Sequence, residues 1–284
     1  MQVVLITGCS SGFGYLTALK FAKNGWRVIA SVRSIDSRSK QLAAIFAAEK
    51  LPAEVVKLDV RNDTEVIGVI QSILQKYKKI DVLVNNAGFG LLGPIEAFSI
   101  EEIKQQYDVN ILGLVRMTQA VLPSMRTRKS GRIINISSIT GLIPFGIYGV
   151  YSSSKFAVEA LSEALRFEVR LFGVDVTLLE PGSFSTHFKQ HSRLAKAYTT
   201  ATSPYQKLVD PSRAVTKPGS LLTHPLIERL RDPQRVADKI FQLATLKKTK
   251  TRYQIGVDAK LYVLARKVLP EWIWEAVLHT TFRW

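Results

Sequence analysis

The sequence predicts a doubly wound α/β fold: a parallel sheet with helices on both faces, formed as a single domain. Short β-branched apolar runs alternate with longer stretches of helical periodicity from residue 3 to residue 179. Continuous apolar strands of this kind belong to a sheet buried on both sides. The first run ends in a glycine-rich turn that passes straight into a helix pattern, as the start of a right-handed crossover does. With 284 residues, 46% apolar and 22% charged, the chain can bury a large core without disulfides or metals.

Residues 3–7 read as a buried strand and 12–24 as a helix with Leu16, Leu19 and Phe21 among its apolar positions. Strands follow at 28–32 and 55–58, with a helix near 40–49 between them and another from Asp63 to about Tyr77. A fourth strand is expected at 82–85, a long helix over 101–125, a fifth strand at 132–137, a second long helix over 150–171 and a sixth strand at 174–179. Residues 186–232 break this rhythm. They hold Pro204, Pro211, Pro218 and Pro225, and their place beyond the sixth strand suits a substrate lid. Residues 252–257 fit a seventh strand. The domain is expected to span 1–258, with 259–284 as an amphipathic tail that Pro270 splits into two short helices.

The first turn reads Thr7-Gly8-Cys9-Ser10-Ser11-Gly12-Phe13-Gly14. Its glycines lack the Cβ atoms that would hold the backbone away from a pyrophosphate. The helix start supplies free N–H groups and partial positive charge. Strand before and helix after mark it as a Rossmann-type dinucleotide loop, in which the lone Cys9 is a small filler. At the end of the second strand a carboxylate would select NAD. Here Val32 and Arg33 stand instead. A guanidinium fork suits a 2′-phosphate, and the Ser11 hydroxyl adds a donor, so NADP(H) is the expected cofactor.

Tyr151-Ser152-Ser153-Ser154-Lys155 opens the second long helix. The i,i+4 spacing puts phenol and ammonium on one face. A nearby ammonium favours the phenolate and lowers the phenol pKa from about 10. A phenol so tuned exchanges the proton that must accompany hydride transfer at an alcohol or carbonyl carbon. Ser137-Ser138 ends the fifth strand, at the same edge of the sheet.

These motifs, with Asn85-Asn86-Ala87-Gly88, Asn110 and Pro181-Gly182, resemble the classical short-chain dehydrogenases/reductases in order and spacing across about residues 1–190. The Gly8–Gly12 loop, Val32-Arg33 and the run from Leu142 to Lys155 look like the 17β-hydroxysteroid and retinol dehydrogenase branch. The resemblance implies that Ser138 bonds the substrate oxygen and Tyr151 exchanges the proton. It has Lys155 tune Tyr151 and bind the nicotinamide ribose, and Asn110 hold a water that leads from Lys155 to solvent. It places Asn86, Ala87 and Gly88 along the cofactor, Asp59 and Val60 at the adenine, and Pro181, Gly182, Phe184 and Thr186 over the nicotinamide. The activity expected is NADP(H)-dependent hydride transfer to or from an alcohol/carbonyl carbon. A catalytically silent NADP-binding sensor and a membrane-surface interaction protein are the alternatives.

Leu142, Ile143, Pro144, Phe145 and Tyr148, with Phe184 and Phe188, suit a hydrophobic steroid-, retinoid- or lipid-like alcohol or ketone, or are ordinary core. The tail carries Trp272, Trp274 and Trp284 with Arg266, Lys267 and Arg283. It reads as a pocket lid, a packing surface or a peripheral membrane contact. The net charge of +16 is scattered and no basic cluster is interleaved with aromatics, so no nucleic-acid partner is expected. His187, His191, His224 and His279 form neither a metal set nor a nucleophilic triad. The start lacks signal-peptide features and no run of 18 apolar residues occurs, so a cytoplasmic or membrane-peripheral protein is expected. By resemblance it is a homodimer or homotetramer, paired through the two long helices.

Overall fold

The computed structural model describes residues 1–185, 192–199, 203–205 and 230–282. Its main sheet has seven parallel strands: β1 (Val3–Ile6), β2 (Arg27–Val32), β3 (Ala53–Lys57), β4 (Val82–Asn85), β6 (Gly131–Ile136), β7 (Val174–Pro181) and β9 (Arg252–Ile255), in spatial order β3-β2-β1-β4-β6-β7-β9. The order reverses between β1 and β4. Helices leaving these two strands depart to opposite faces, and a crevice opens at their carboxyl ends.

Alternation along each strand divides the core. In β1, Val4 and Ile6 join Phe21 of α1 (Gly12–Lys23), Leu42 and Phe46 of α2 (Ser37–Ala48), and Val236, Ile240 and Leu243 of a C-terminal helix, Gln234–Thr245. Val3 and Leu5 face the other way, onto Val66, Ile70 and Ile73 of α3 (Asp63–Tyr77) and Met117, Val121 and Met125 of α5 (Gly113–Thr127). Each such side chain contributes about 1.5–3 kcal/mol on full burial. Cys9 is buried, its Sγ donating to Ile6 O at 3.2 Å, as suits a filler of the turn.

Three local features differ from the expected pattern. The 101–125 helix is not continuous. α4 (Ile100–Tyr107) passes into a π turn, Asp108–Leu112, before α5 begins. The Asn110 amide is buried there and bonded outside the helix, which an uninterrupted α-helix in the same register would not allow. The second helix starts at Ser37 rather than near residue 40, because Asp36 and Ser39 form a reciprocal capping box. The helix Gln234–Thr245 was readable from Val236, Ile240 and Leu243 at i, i+4 and i+7, but lies beyond the proline-rich break.

α6 (Gly149–Val169) backs the sheet between β6 and β7 and is followed by a 3₁₀ turn, Arg170–Phe172. A small parallel pair, β5 (Leu91–Leu92) with β8 (Arg193–Leu194), stands apart from the main sheet. The helix Gln234–Thr245 is α7. After β9 come α8 (Val257–Val268) and α9 (Glu271–Phe282), separated at Pro270. Of the expected lid only residues 192–199, 203–205 and 230–232 are described; Thr186, His187, Phe188, His191 and His224 lie outside the described residues.

Candidate active site

The crevice at β1 and β4 is a cleft of about 510 Å³. Gly8, Ser10, Ser11, Gly12 and Phe13 form its floor where β1 enters α1. Gly14 does not line it but permits it: a Cβ there would lie 2.3 Å from Gly8 O and 2.5 Å from Asn86 Nδ2. The turn is tied to the neighbouring strand. Asn86 Nδ2 donates to Thr7 O (2.8 Å) and Gly8 O (3.1 Å), and Thr7 Oγ1 accepts from the N–H groups of Asn86 and Ala87, each at 2.9 Å. Asn86, Ala87 and Gly88 thereby form the wall opposite α1.

One end of the cleft carries Arg33, Asp59 and Val60. The Asp59 carboxylate is not free. Arg61 grips it through Nε (3.0 Å) and Nη2 (2.6 Å), and this hydrogen bonding holds its carboxyl below the usual range. An acid that the strand-end reading passed over, Asp36, also lines this end. Its Oδ1 accepts from Ser39 N at 2.9 Å as the cap of α2, so it is turned toward the helix.

The other end holds Tyr151 and Lys155 from the first turns of α6, both 7% exposed. Lys155 Nζ donates to Ile136 O at 2.8 Å and lies 5.8 Å from the Tyr151 ring centroid. The Tyr151 hydroxyl is hydrogen-bonded by Ser138, with the Thr140 hydroxyl nearby. Ser138 caps the 3₁₀ turn Ile139–Gly141, its Oγ accepting from Thr140 N at 3.2 Å. Gly88 brings the neighbouring loop close: a Cβ on it would be 3.2 Å from Asn110 Oδ1 and 3.8 Å from Lys155 Nζ. The Asn110 amide accepts from Phe89 N (3.1 Å) and donates to Phe89 O and Ser154 Oγ, both at 3.0 Å. Ser138, Tyr151, Lys155 and Asn110 are therefore neighbours, although only Tyr151 and Lys155 line the cleft.

The electrostatics differ from expectation at Tyr151. Burial pushes the phenol above its ordinary value, and the Ser138 hydrogen bond only partly opposes it. Burial also pulls Lys155 down to about 8, against the opposing charge of Glu159. Desolvation disfavours both charged forms and outweighs their mutual help.

Pro181 ends β7, and Gly182 N donates to Ile255 O at 2.9 Å. Phe184 packs edge-on against Phe13, with ring centroids 5.9 Å apart. These residues brace the floor from behind rather than lining it. Ser192 and Arg193 do line the cleft, with the Arg193 guanidinium 5.3 Å from the Phe89 ring centroid. No local pattern marks them; the β5–β8 pairing brings them there. The apolar residues Leu142, Ile143 and Phe145 face the tail rather than the cleft, packing with Tyr262, Val263, Trp274 and Val277. Among the described residues no three potential metal ligands cluster.

A dinucleotide crevice with a Ser–Tyr–Lys cluster at one end places the chain in a class of nucleotide-dependent oxidoreductases. The short chain dehydrogenase profile matches residues 2–197, and the chain belongs to that family. It is 37% identical to the oxidoreductase YusZ of Bacillus subtilis over 98% of this chain and 97% of that one. It is 42% identical to estradiol 17-beta-dehydrogenase 1 of Rattus norvegicus, over 66% of this chain and 56% of the relative. A short-chain dehydrogenase from Streptomyces avermitilis superposes with a TM-score of 0.80 at 33% identity, covering 94% of this chain and 92% of its own.

Proposed function

We propose that this protein is an NADP(H)-dependent carbonyl reductase/alcohol dehydrogenase acting on a hydrophobic substrate, with Tyr151 as its general acid. The observation that carries the reading is the buried Tyr151 hydroxyl, bonded by Ser138, one helical turn from Lys155 and opening on the cleft.

The cleft fits the cofactor. Gly14 leaves room for the loop beneath a pyrophosphate, the α1 N–H groups face it, and Arg33 stands where a 2′-phosphate would lie. ElxO, a structure bound to NADP, is 28% identical to this chain over 89% of its length. When bound, NADP(H) supplies or accepts the hydride. Ser138 orients the substrate oxygen, and the Tyr151 phenol, held protonated by burial, donates to that oxygen as negative charge develops. Lys155 keeps positive charge beside the phenol during the transfer. A phenol that resists ionisation suits the reducing direction. Asn110, locked to Phe89 and Ser154, borders Lys155 and positions the route by which a proton returns from solvent.

The hydrophobic substrate rests on the relatives named for a steroid, for retinol and for a ketodihydrosphingosine. Residues 257–282 cover the Ile139–Phe145 loop. They also present an outer stripe, Val257, Leu261, Leu264 and Val268, each about half or more exposed, at i, i+4, i+7 and i+11. Exposed Lys260 and Lys267 border it, a pattern that suits an anionic lipid surface. No helix among the described residues is long and apolar enough to cross a membrane.

A panel of lipophilic and small polar ketones with NADPH and NADH in parallel tests the assignment. NADPH oxidation favouring lipophilic ketones is expected, with Tyr151→Phe losing about 10²-fold or more while still binding NADPH. Preference for NADH overturns the role of Arg33. Unchanged turnover in Tyr151→Phe overturns that of Tyr151.

A further inference from the structure

Behind Lys155, away from the cleft, lies a cluster of charge that the proposed chemistry does not use. Glu159 follows Lys155 by one turn of α6 and is 4% exposed; Glu180, on β7, is 0% exposed. The single guanidinium between them is Arg252 of β9, whose Nε lies 2.9 Å from Glu159 Oε2 and 3.4 Å from Glu180 Oε1. Its Nη1 is committed to Glu163, which reaches solvent. Gln254 Nε2 donates to Glu180 Oε2 at 2.5 Å. Glu159 Oε1 and Glu180 Oε1 are buried and poorly partnered: Glu180 Oε1 has only the long approach of Arg252 Nε, Glu159 adjoins the Ser137 hydroxyl, and the two carboxyl groups adjoin each other.

Two ionised carboxylates in such a place, sharing part of one guanidinium, leave uncompensated buried charge and two weakly partnered acceptors. One proton between them removes both faults. Resting on the assignment of Lys155 above, the geometry points to Glu159 and Glu180 as a proton-sharing pair that positions the charge of Lys155. Below neutrality the pair holds one proton. As pH rises it ionises, and the added negative charge one turn from Lys155 keeps the ammonium protonated beside Tyr151. Burial raises both carboxyls, Glu180 to about 7, while Lys155 sits at about 8, so the two titrations overlap. Among the described residues the other charged groups facing the pair are Glu163 on α6 and Arg252 on β9; Ser137, just past β6, presents a hydroxyl that adjoins Glu159 and also lines the cleft.

Glu180→Gln mimics the protonated acid: its amide oxygen can accept from Gln254 and its NH₂ can donate to Glu159. Three measurements on the full-length protein test the pair. The wild type should show an infrared carboxylic-acid band at pH 6 that is lost by pH 9 and is absent in Glu180→Gln. The Lys155 ¹³Cε resonance should titrate roughly half to one pH unit lower in Glu180→Gln, and at least as low in Glu159→Gln. The alkaline limb of NADPH oxidation should move by the same amount, with its plateau retained. An unshifted Lys155 titration, or no carboxylic-acid band at pH 6, overturns the proposal. Infrared and resonance titrations need no turnover, so they decide the pair even if the carbonyl panel fails.

Discussion

Lys155 is held where a lysine is uncomfortable. Its pKa is 10.5 in the unfolded chain and about 8 when folded, so the unfolded state binds the proton more tightly across that interval. Stability therefore rises with pH from about 8 to 10.5: the cost of the buried ammonium is present in full below 8 and gone above 10.5. The difference corresponds to about 3 kcal/mol. Lys155→Met is expected to unfold at higher urea than the wild type at pH 7, less a contribution from the lost bond to Ile136 O, and to lose that advantage by pH 10.5. It should also lose NADPH oxidation. Urea titrations at the two pH values check the sign. A site that destabilises its own fold in this way is one where function has outweighed packing.

At the scale of elements, the π turn Asp108–Leu112 lies beside Lys155 and the C-terminal helices cover the Ile139–Phe145 loop. The turn exists to place one amide. Asn110→Ala removes three hydrogen bonds and leaves the part-buried Phe89 N–H without its acceptor, while Ser154 keeps its bond to Tyr151 O. A loss of about 2–3 kcal/mol follows, with reduced turnover, measurable by thermal melts and kinetics on one preparation. The tail carries a separate expectation. Pelleting with vesicles rich in anionic lipid should be strong for the wild type and lost in the triple variant Leu261→Ser, Leu264→Ser, Val268→Ser, whose positions face away from the pocket. Equal pelleting of both would discard the lipid reading. Neither element was fully legible beforehand. Periodicity showed helix on both sides of Asn110, but a π turn differs by one residue of register, which apolar spacing does not register. Pro270 marked the break in the tail, yet only the tertiary contacts of Tyr262 and Trp274 show which loop the tail covers.

For the whole molecule, the outer face of α6 exposes Phe156, Phe167 and Leu171, the last just past its end, with Phe167 and Leu171 at 74% each. We propose this apolar face as an association surface between copies of the chain. Light scattering on the eluting protein is expected to give a dimer or tetramer, and Phe167→Glu a smaller species with its fold intact; a monomeric wild type would refute the pairing. The strands of the main sheet and their parallel, doubly wound arrangement, by contrast, were legible in the sequence pattern, because each strand is an apolar run bounded by helix signals; their spatial order was not. Tyr151 and Lys155 were legible because i,i+4 spacing is a local fact. Glu159 shares that spacing with Lys155 and was readable by the same rule, but its partners Glu180 and Arg252 are joined to it only by the order β6-β7-β9. Arg193 reaches the cleft through a two-residue pairing too short to leave a pattern.

Asp258, at the start of α8, accepts from Ser183 N at 2.6 Å and sits against Gly182, where a Cβ would be 2.3 Å from Oδ1. One carboxylate thus fastens the first turn of the tail to the loop that leaves β7 on the cofactor side. The tail hangs from a hinge pin set in the nucleotide-binding half of the molecule while its body rests on the Ile139–Phe145 loop. The described residues beyond that pin do not line the cleft, so the tail can be reworked while the glycine-rich loop and Lys155 keep their places.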